Sequence, residues 1–380
     1  MQDAYDVAVI GGGIVGLLTA WQAGMSGKNT LLFEQHQVGK SEGSSKGSSR
    51  MFGESHEQDV YLQLARQSRY LWRELERETG QQLLHLNGGI DIAANPSSRK
   101  SVKEIAYRLH SRHCPFEALD GATLCRRYPQ WRCSPSVHAI YSPNEGILRA
   151  DRCMNAAFVS AKKYGVIMKD RTCVTSISPG KSGTVFVKTS SGETYRTLKL
   201  VIAAGPWSSD ILDRFGVKLP LRVLQTQTVY FAPRRNAELF RPENFPVWEW
   251  EGSNFVYGFP MFEEDGLKVA FHGGRYLRSL SEFKQTPNRD LIKRLRLFLH
   301  KCLPDAAGED FGATTCLYTN TPDDDFVVDV IPGFPQIAYF AGCSGHAFHC
   351  APAVGKTLVE LVSKGKTEID ISRFSAKRFR

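Results

Sequence analysis

At 380 residues the chain is longer than one hydrophobic core usually serves, so two domains, or one domain carrying a large insertion, are expected. Its 42% hydrophobic and 23% charged residues are those of an ordinary globular protein and exclude a disordered or fibrous chain. The net charge of +9 is spread along the chain, and its densest basic cluster, RLHSRHCP at 108–115, lacks interleaved aromatic residues, so an anionic cofactor or small substrate is expected rather than nucleic acid.

No apolar run reaches the roughly 18 residues a bilayer span needs. Asp3 and Asp6 stand where a secretory leader carries basic residues, and the closing AKRFR is not a peroxisomal address, so a cytoplasmic protein without membrane attachment is expected. The nine cysteines are odd in number and contain no C-x-x-C pair, which predicts reduced thiols.

Residues 5–35 read YDVAVIGGGIVGLLTAWQAGMSGKNTLLFEQ. A short β-rich run is followed by three glycines, a helical pattern and a second buried strand, TLLFE. Gly11, Gly13 and Gly16 match G-x-G-x-x-G, and Glu34 closes the second strand about 20 residues later. In such a unit Gly11 permits the tight turn, Gly13 lets the backbone approach a pyrophosphate, and Gly16 lets helix and strand pack closely. Ile14 and Val15 open the helix beside the same phosphates, and Glu34 is placed to accept ribose hydroxyls.

Next comes a Gly/Ser-rich loop, SEGSSKGSSR at 41–50, whose Lys46 and Arg50 bring cations near the cofactor and whose Ser44 and Ser49 are candidate contacts. Residues 57–80 read as a long amphipathic segment, with apolar residues at Val60, Leu62, Leu64, Leu71 and Leu75. Farther on, Val174 and the segment KLVIAAGPWSSDIL (199–212), a buried strand with Gly205 and Trp207 in its small-residue turn, predict a return to the same parallel sheet. From about 216 to 318 the pattern changes to alternating strands, RVLQTQTVYFAP, SNFVYGFP and LKVAFHGG, interrupted by one helix, RDLIKRLRLFLHKCLP. That shift predicts an inserted antiparallel domain.

The last part, QIAYFAGCSGHAFHCAPAVGKTLVELV, reads as strand, glycine loop and helix, which presents a helix N-terminus to an anion. Its GCSGHAFHC stretch has two cysteines and two histidines, but structural zinc sites draw their ligands from two separated pairs, and no metal is expected there.

Five motifs, GSSKGSSR, FVYGFP, GLKVAFH, TTCLYTNTPDDDFVVD and GCSGHAF, occur in an order and spacing that resemble the monomeric sarcosine oxidase and N-methyltryptophan oxidase family, over essentially the whole chain from Tyr5 to Phe374. The resemblance implies an α/β fold. A FAD-binding Rossmann-like domain of the glutathione-reductase type (1–85, 145–215 and 319–380) carries an inserted mixed antiparallel β-sheet substrate domain (86–144 and 216–318). It implies a monomeric FAD enzyme that oxidises the C–N bond of a secondary amine or N-substituted amino acid and passes electrons to oxygen, giving hydrogen peroxide. A different amine, or a dehydrogenase serving a carrier, is the alternative.

By the same resemblance Cys316 carries the flavin through a thioether, where the bare sequence would allow only a buried small hydrophobe. The loop with Gly342, Gly345 and His346 faces the flavin, and Lys268 activates oxygen. Tyr257, His272 and Tyr318 line the pocket, although aromatic residues there also suit an ordinary core. Arg50 is kept from the family's pair of arginines at i and i+3, but the i+3 position is Gly53, and the family's carboxylate-binding lysine is His349. A permanent cationic clamp is thereby reduced to at most one titratable imidazole.

Overall fold

Strand β1 (Tyr5–Ile10) alternates between two cores: Val7 and Val9 face one apolar cluster, and Ala8 and Ile10 face the other. A strand buried on both sides has no polar face, so from Val7 to Ile10 its sequence is a continuous apolar run. In this computed structural model, which describes residues 4–40 and 43–379, β1 is central in a parallel sheet. Asp3, Arg380 and the Ser41–Glu42 start of the Gly/Ser-rich loop lie outside the described residues.

Strand β2 (Thr30–Phe33) pairs parallel with one edge of β1 and the strand Thr194–Ile202 with the other. Ile167–Lys169 and Phe334–Ala341 extend the parallel set at its two ends. An antiparallel meander, Val174–Pro179 and Val185–Thr189, leads into Thr194–Ile202. Helix α1 (Ile14–Met25) packs under the sheet against the helices Ala150–Lys163 and Ala347–Lys364. It is apolar nearly all round because it is enclosed nearly all round.

Among the described residues the second sheet has nine strands and is antiparallel except where Val247–Glu251 runs parallel to Gly89–Ala93. Arg222–Phe231 pairs along its length with Asp310–Asn320 and, over Thr228–Phe231, with Leu267–Phe271. The helix Arg289–Cys302 covers one face with Ile292, Leu295 and Leu299, and the Asn288 side chain caps it by accepting the N–H groups of Asp290 and Leu291. A small third sheet pairs both Ser49–Phe52 and Leu84–Leu86 with Gly146–Arg149.

The amphipathic segment forms the helix Asp59–Thr79, closed by Gly80 in the left-handed region at φ 67°. The helix expected after GPW is short, Ser208–Leu212 behind a 3-10 turn at Gly205–Trp207. Strands 89–93, 117–120 and 138–142 are short elements with no separate signal in the sequence reading. Among the described residues no helix is long and apolar enough to cross a membrane.

Candidate active site

The glycine turn after β1 shows why small residues are needed there. Gly11 sits at φ +109°, and a Cβ on it would lie 2.3 Å from the Ala203 carbonyl oxygen; one on Gly16 would lie 1.9 Å from the oxygen of Gly11. Gly13 is the N-cap of α1 and offers no side chain to its first N–H groups. Ile14 N–H donates to Ser45 Oγ at 3.1 Å, which ties the Gly/Ser-rich loop to this helix end. The Glu34 carboxylate accepts from Gly12 N–H at 2.6 Å and His36 N–H at 2.7 Å, and so is fixed at the end of β2. A cradle that any Cβ would fill, a helix start whose N-cap has no side chain and a fixed carboxylate together suit the ADP half of FAD.

This cradle opens into one cavity of about 910 Å³. Its nucleotide end is lined by Gly11, Gly13, Ile14, Val15 and Glu34, together with Val174, Gly205 and Trp207. Ser44, Ser49, Arg50, Cys316, Gly345 and His346 line the continuation. Gly16 and Gly342 do not line it and act by shape: Gly342 has φ +66°, and a Cβ there would meet Thr321 Cγ2 at 2.5 Å.

Lys268, on the strand Leu267–Phe271, is only 5% exposed. Its Nζ donates to the backbone oxygen of Ser49 at 2.8 Å and to Ser49 Oγ at 3.0 Å, and lies 4.7 Å from the Phe259 ring centroid. Burial, and then the nearby Arg50 guanidinium, hold its pKa well below the usual lysine range. Arg50 donates to the carbonyls of Ser49 (2.8 Å), Ser44 (3.0 Å) and Lys46, so its fork is committed to shaping the loop.

Cys316 faces Thr226 across the strand pair, and its Sγ is 3.7 Å from the Ser44 carbonyl oxygen. Burial raises its pKa, and Arg50 opposes that rise. Tyr257 and Tyr318 bring their hydroxyl oxygens to 3.3 Å. The His272 ring lies 5.8 Å from Tyr318 and 4.9 Å from Phe255, completing an aromatic wall.

The last helix starts at His346, whose Nδ1 lies 3.0 Å from the Ser344 carbonyl oxygen and therefore carries the proton. Burial lowers its pKa to about 4. His349 also lines the cavity and stacks on His56 at 5.3 Å between centroids, and burial lowers its pKa to about 3. Burial thus disfavours the imidazolium at position 349, opposed by a hydrogen bond to the Gly53 backbone.

The sequence reading missed three carboxyls in this cavity, Asp91, Glu145 and Glu249. Burial pushes Glu145 up to about 7, although it accepts N–H bonds from Glu54 (3.1 Å) and Ser55 (2.8 Å). Burial, then Glu145, pushes Glu249 up to about 8 and raises Asp91 as well. An acid at an inward position of an alternating strand, as in GGIDIA and VWEWE, was the available signal.

Comparison with known proteins identifies the family and the fold. Residues 6–361 match the family described as FAD dependent oxidoreductase. Human peroxisomal sarcosine oxidase is 32% identical over 383 residues, covering 100% of this chain and 97% of that protein. Monomeric sarcosine oxidase from Bacillus sp. (strain NS-129) is 31% identical, covering 100% and 98%. The fold is shared with L-proline dehydrogenase from P. horikoshii, at a TM-score of 0.87 and 22% identity, over 100% of this chain and 98% of that one. Matched from its first strand into its last helix, and with relatives of equal length, the chain belongs to the FAD-dependent oxidoreductases and, within them, to the sarcosine oxidase and N-methyltryptophan oxidase family.

Proposed function

We propose that this chain is an FAD-dependent oxidase of the C–N bond of a secondary amine or N-substituted amino acid, using molecular oxygen and releasing hydrogen peroxide. The carrying observation is the buried Lys268 side chain, held by Ser49 in the cavity that continues from the glycine cradle. We take residues 1–85, 145–215 and 319–380 as the FAD-binding domain and 86–144 and 216–318 as the substrate domain. A monomer is part of the reading, as the name of the Bacillus relative says of that protein.

Bound FAD supplies the acceptor for the hydride leaving the carbon next to the amine nitrogen. The chain's residues do the rest. The cavity wall of Tyr257, Tyr318 and His272 excludes water and orients the amine; its low polarity favours the unprotonated nitrogen from which a hydride can leave. The N–H groups at the start of the last helix would supply partial positive charge to an anionic centre bound there. Lys268 offers a fixed positive charge to oxygen as it gains electrons. The imine product is hydrolysed by water.

Cys316 carries the flavin through a thioether in this reading, as the family motif around it implies.

The test is a panel of secondary amines and N-methyl amino acids added to the holoenzyme. Flavin bleaching without air and peroxide formation with air are expected. Bleaching without peroxide would make the protein a dehydrogenase, and no bleaching by any amine would overturn the reading.

A further inference from the structure

Asp91 and Glu249 are register partners on adjacent parallel strands, so both carboxyls stand on one face of the sheet. Tyr257 is the partner of Glu249 on its other side, which continues the row toward the aromatic wall. Glu145 comes to the same place from the loop before Gly146–Arg149. Its Oε2 occupies the space above Gly89, where a Cβ would lie 2.0 Å away, and Gly89 is one pleat repeat from Asp91 on the same face. Gly53 clears the opposite side, its would-be Cβ 3.3 Å from Glu145 Oε1.

Like charges facing each other across a strand pair destabilise a sheet, and buried carboxyls are costly without partners. Among the described residues none of these three acids is in an ion pair with a lysine or arginine, and no hydrogen-bond partner reaches the buried Asp91 Oδ2. The neighbouring Glu54 differs, since Arg69 answers it at 3.2 Å. The other cavity groups at this end, His56 and His349, stack on each other and are held neutral by burial. Lys268 and Arg50 are committed to backbone oxygens and Ser49. A metal ion does not suit the acids either, because among the described residues no three His, Cys, Asp or Glu side chains converge as a ligand set.

We infer that the substrate carries a second, permanently protonated amine, received by Asp91, Glu145 and Glu249, and no carboxylate at that end: it is a diamine or longer polyamine with its reactive N-substituted nitrogen toward the flavin side. This rests on the oxidase reading above and narrows its substrate class. The second ammonium provides the counter-charge that the buried acids lack, whereas a carboxylate placed beside Gly53 would face the Glu145 carboxyl.

Two measurements on the holoenzyme test it. In turnover, N-methyl diamines with three to six methylenes are compared with N-methylpentylamine and N-methylnorvaline. At least one diamine should exceed both in kcat/KM by tenfold or more, and this preference should drop at least tenfold in Asp91→Asn and Glu249→Gln, which keep shape and remove the ionisable carboxyl. Calorimetric titration with unsubstituted diaminoalkanes against pentylamine reads the same site without chemistry; tighter diamine binding, lost in the same variants, is expected. Equal binding of diamine and monoamine, or N-methylnorvaline as the best substrate, would overturn the inference while leaving the oxidase reading intact. Diamine binding without flavin reduction by any amine would do the reverse.

Discussion

Lys268 and Ser49 come from different sheets and meet twice: Nζ donates both to the backbone oxygen at 2.8 Å and to Oγ at 3.0 Å. Two fixed acceptors hold a buried ammonium in place without neutralising it by a carboxylate. Lys268→Met is therefore expected to slow reoxidation of the reduced flavin by roughly 100-fold or more, since a lost charge contact in a desolvated site is worth several kcal/mol. Anaerobic reduction by amine should change much less. Because the folded pKa is depressed, wild-type reoxidation should also slow as pH rises, at values below the ordinary lysine range near ~10.4. Stopped-flow measurement of both half-reactions decides; equal slowing of both removes the special role.

Cys316 supplies a second prediction. Acid-precipitated wild-type protein should remain yellow, and Cys316→Ala should release flavin into the supernatant. Flavin released from the wild type would break the thioether assignment.

Position 349 gives a third. With His349 held neutral down to about 3, binding of an amino acid ligand should show no step near ~6.5, where a free imidazole titrates. The double change Gly53→Arg with His349→Lys should not create a carboxylate clamp, because the new arginine would sit beside Glu145, whose Oε1 is 3.3 Å from a Cβ at 53. It should instead weaken diamine binding about tenfold or more. A gain in affinity for sarcosine in that double variant would contradict the geometry.

The raised acids make a fourth, on stability. Burial pushes Glu249 in the folded chain up to about 8, against 4.5 for a free glutamate, so between these values the native state binds more protons than the unfolded one. Stability from this group is present at low pH and lost as pH rises through that window. Glu249→Gln should therefore gain on the wild type from about pH 5 to pH 8, by an amount of order a few kcal/mol at the upper end. Chemical denaturation at several pH values measures the difference; a pH-independent difference would mean that Glu249 is not protonated on burial.

Much of the molecule could be read from local pattern. The turn at Gly11 to Gly16, the acid at 34, the helix ending at Gly80 and the apolar strands of the parallel sheet all follow from steric limits and periodicity within one short segment. The motifs around Lys268, Cys316 and His346 were equally visible, and the fold brings all three to one cavity. What the tertiary structure alone decided is charge. Whether His349 is an imidazolium or a neutral ring depends on Phe52 and His56 packed against it from distant parts of the chain. Likewise Asp91, Glu145 and Glu249 are ordinary surface-type residues one by one, and only the parallel pairing of Gly89–Ala93 with Val247–Glu251 and the gaps at Gly53 and Gly89 make them a single buried acidic face. Desolvation and mutual repulsion depend on three-dimensional distance, which residue spacing along the chain does not encode.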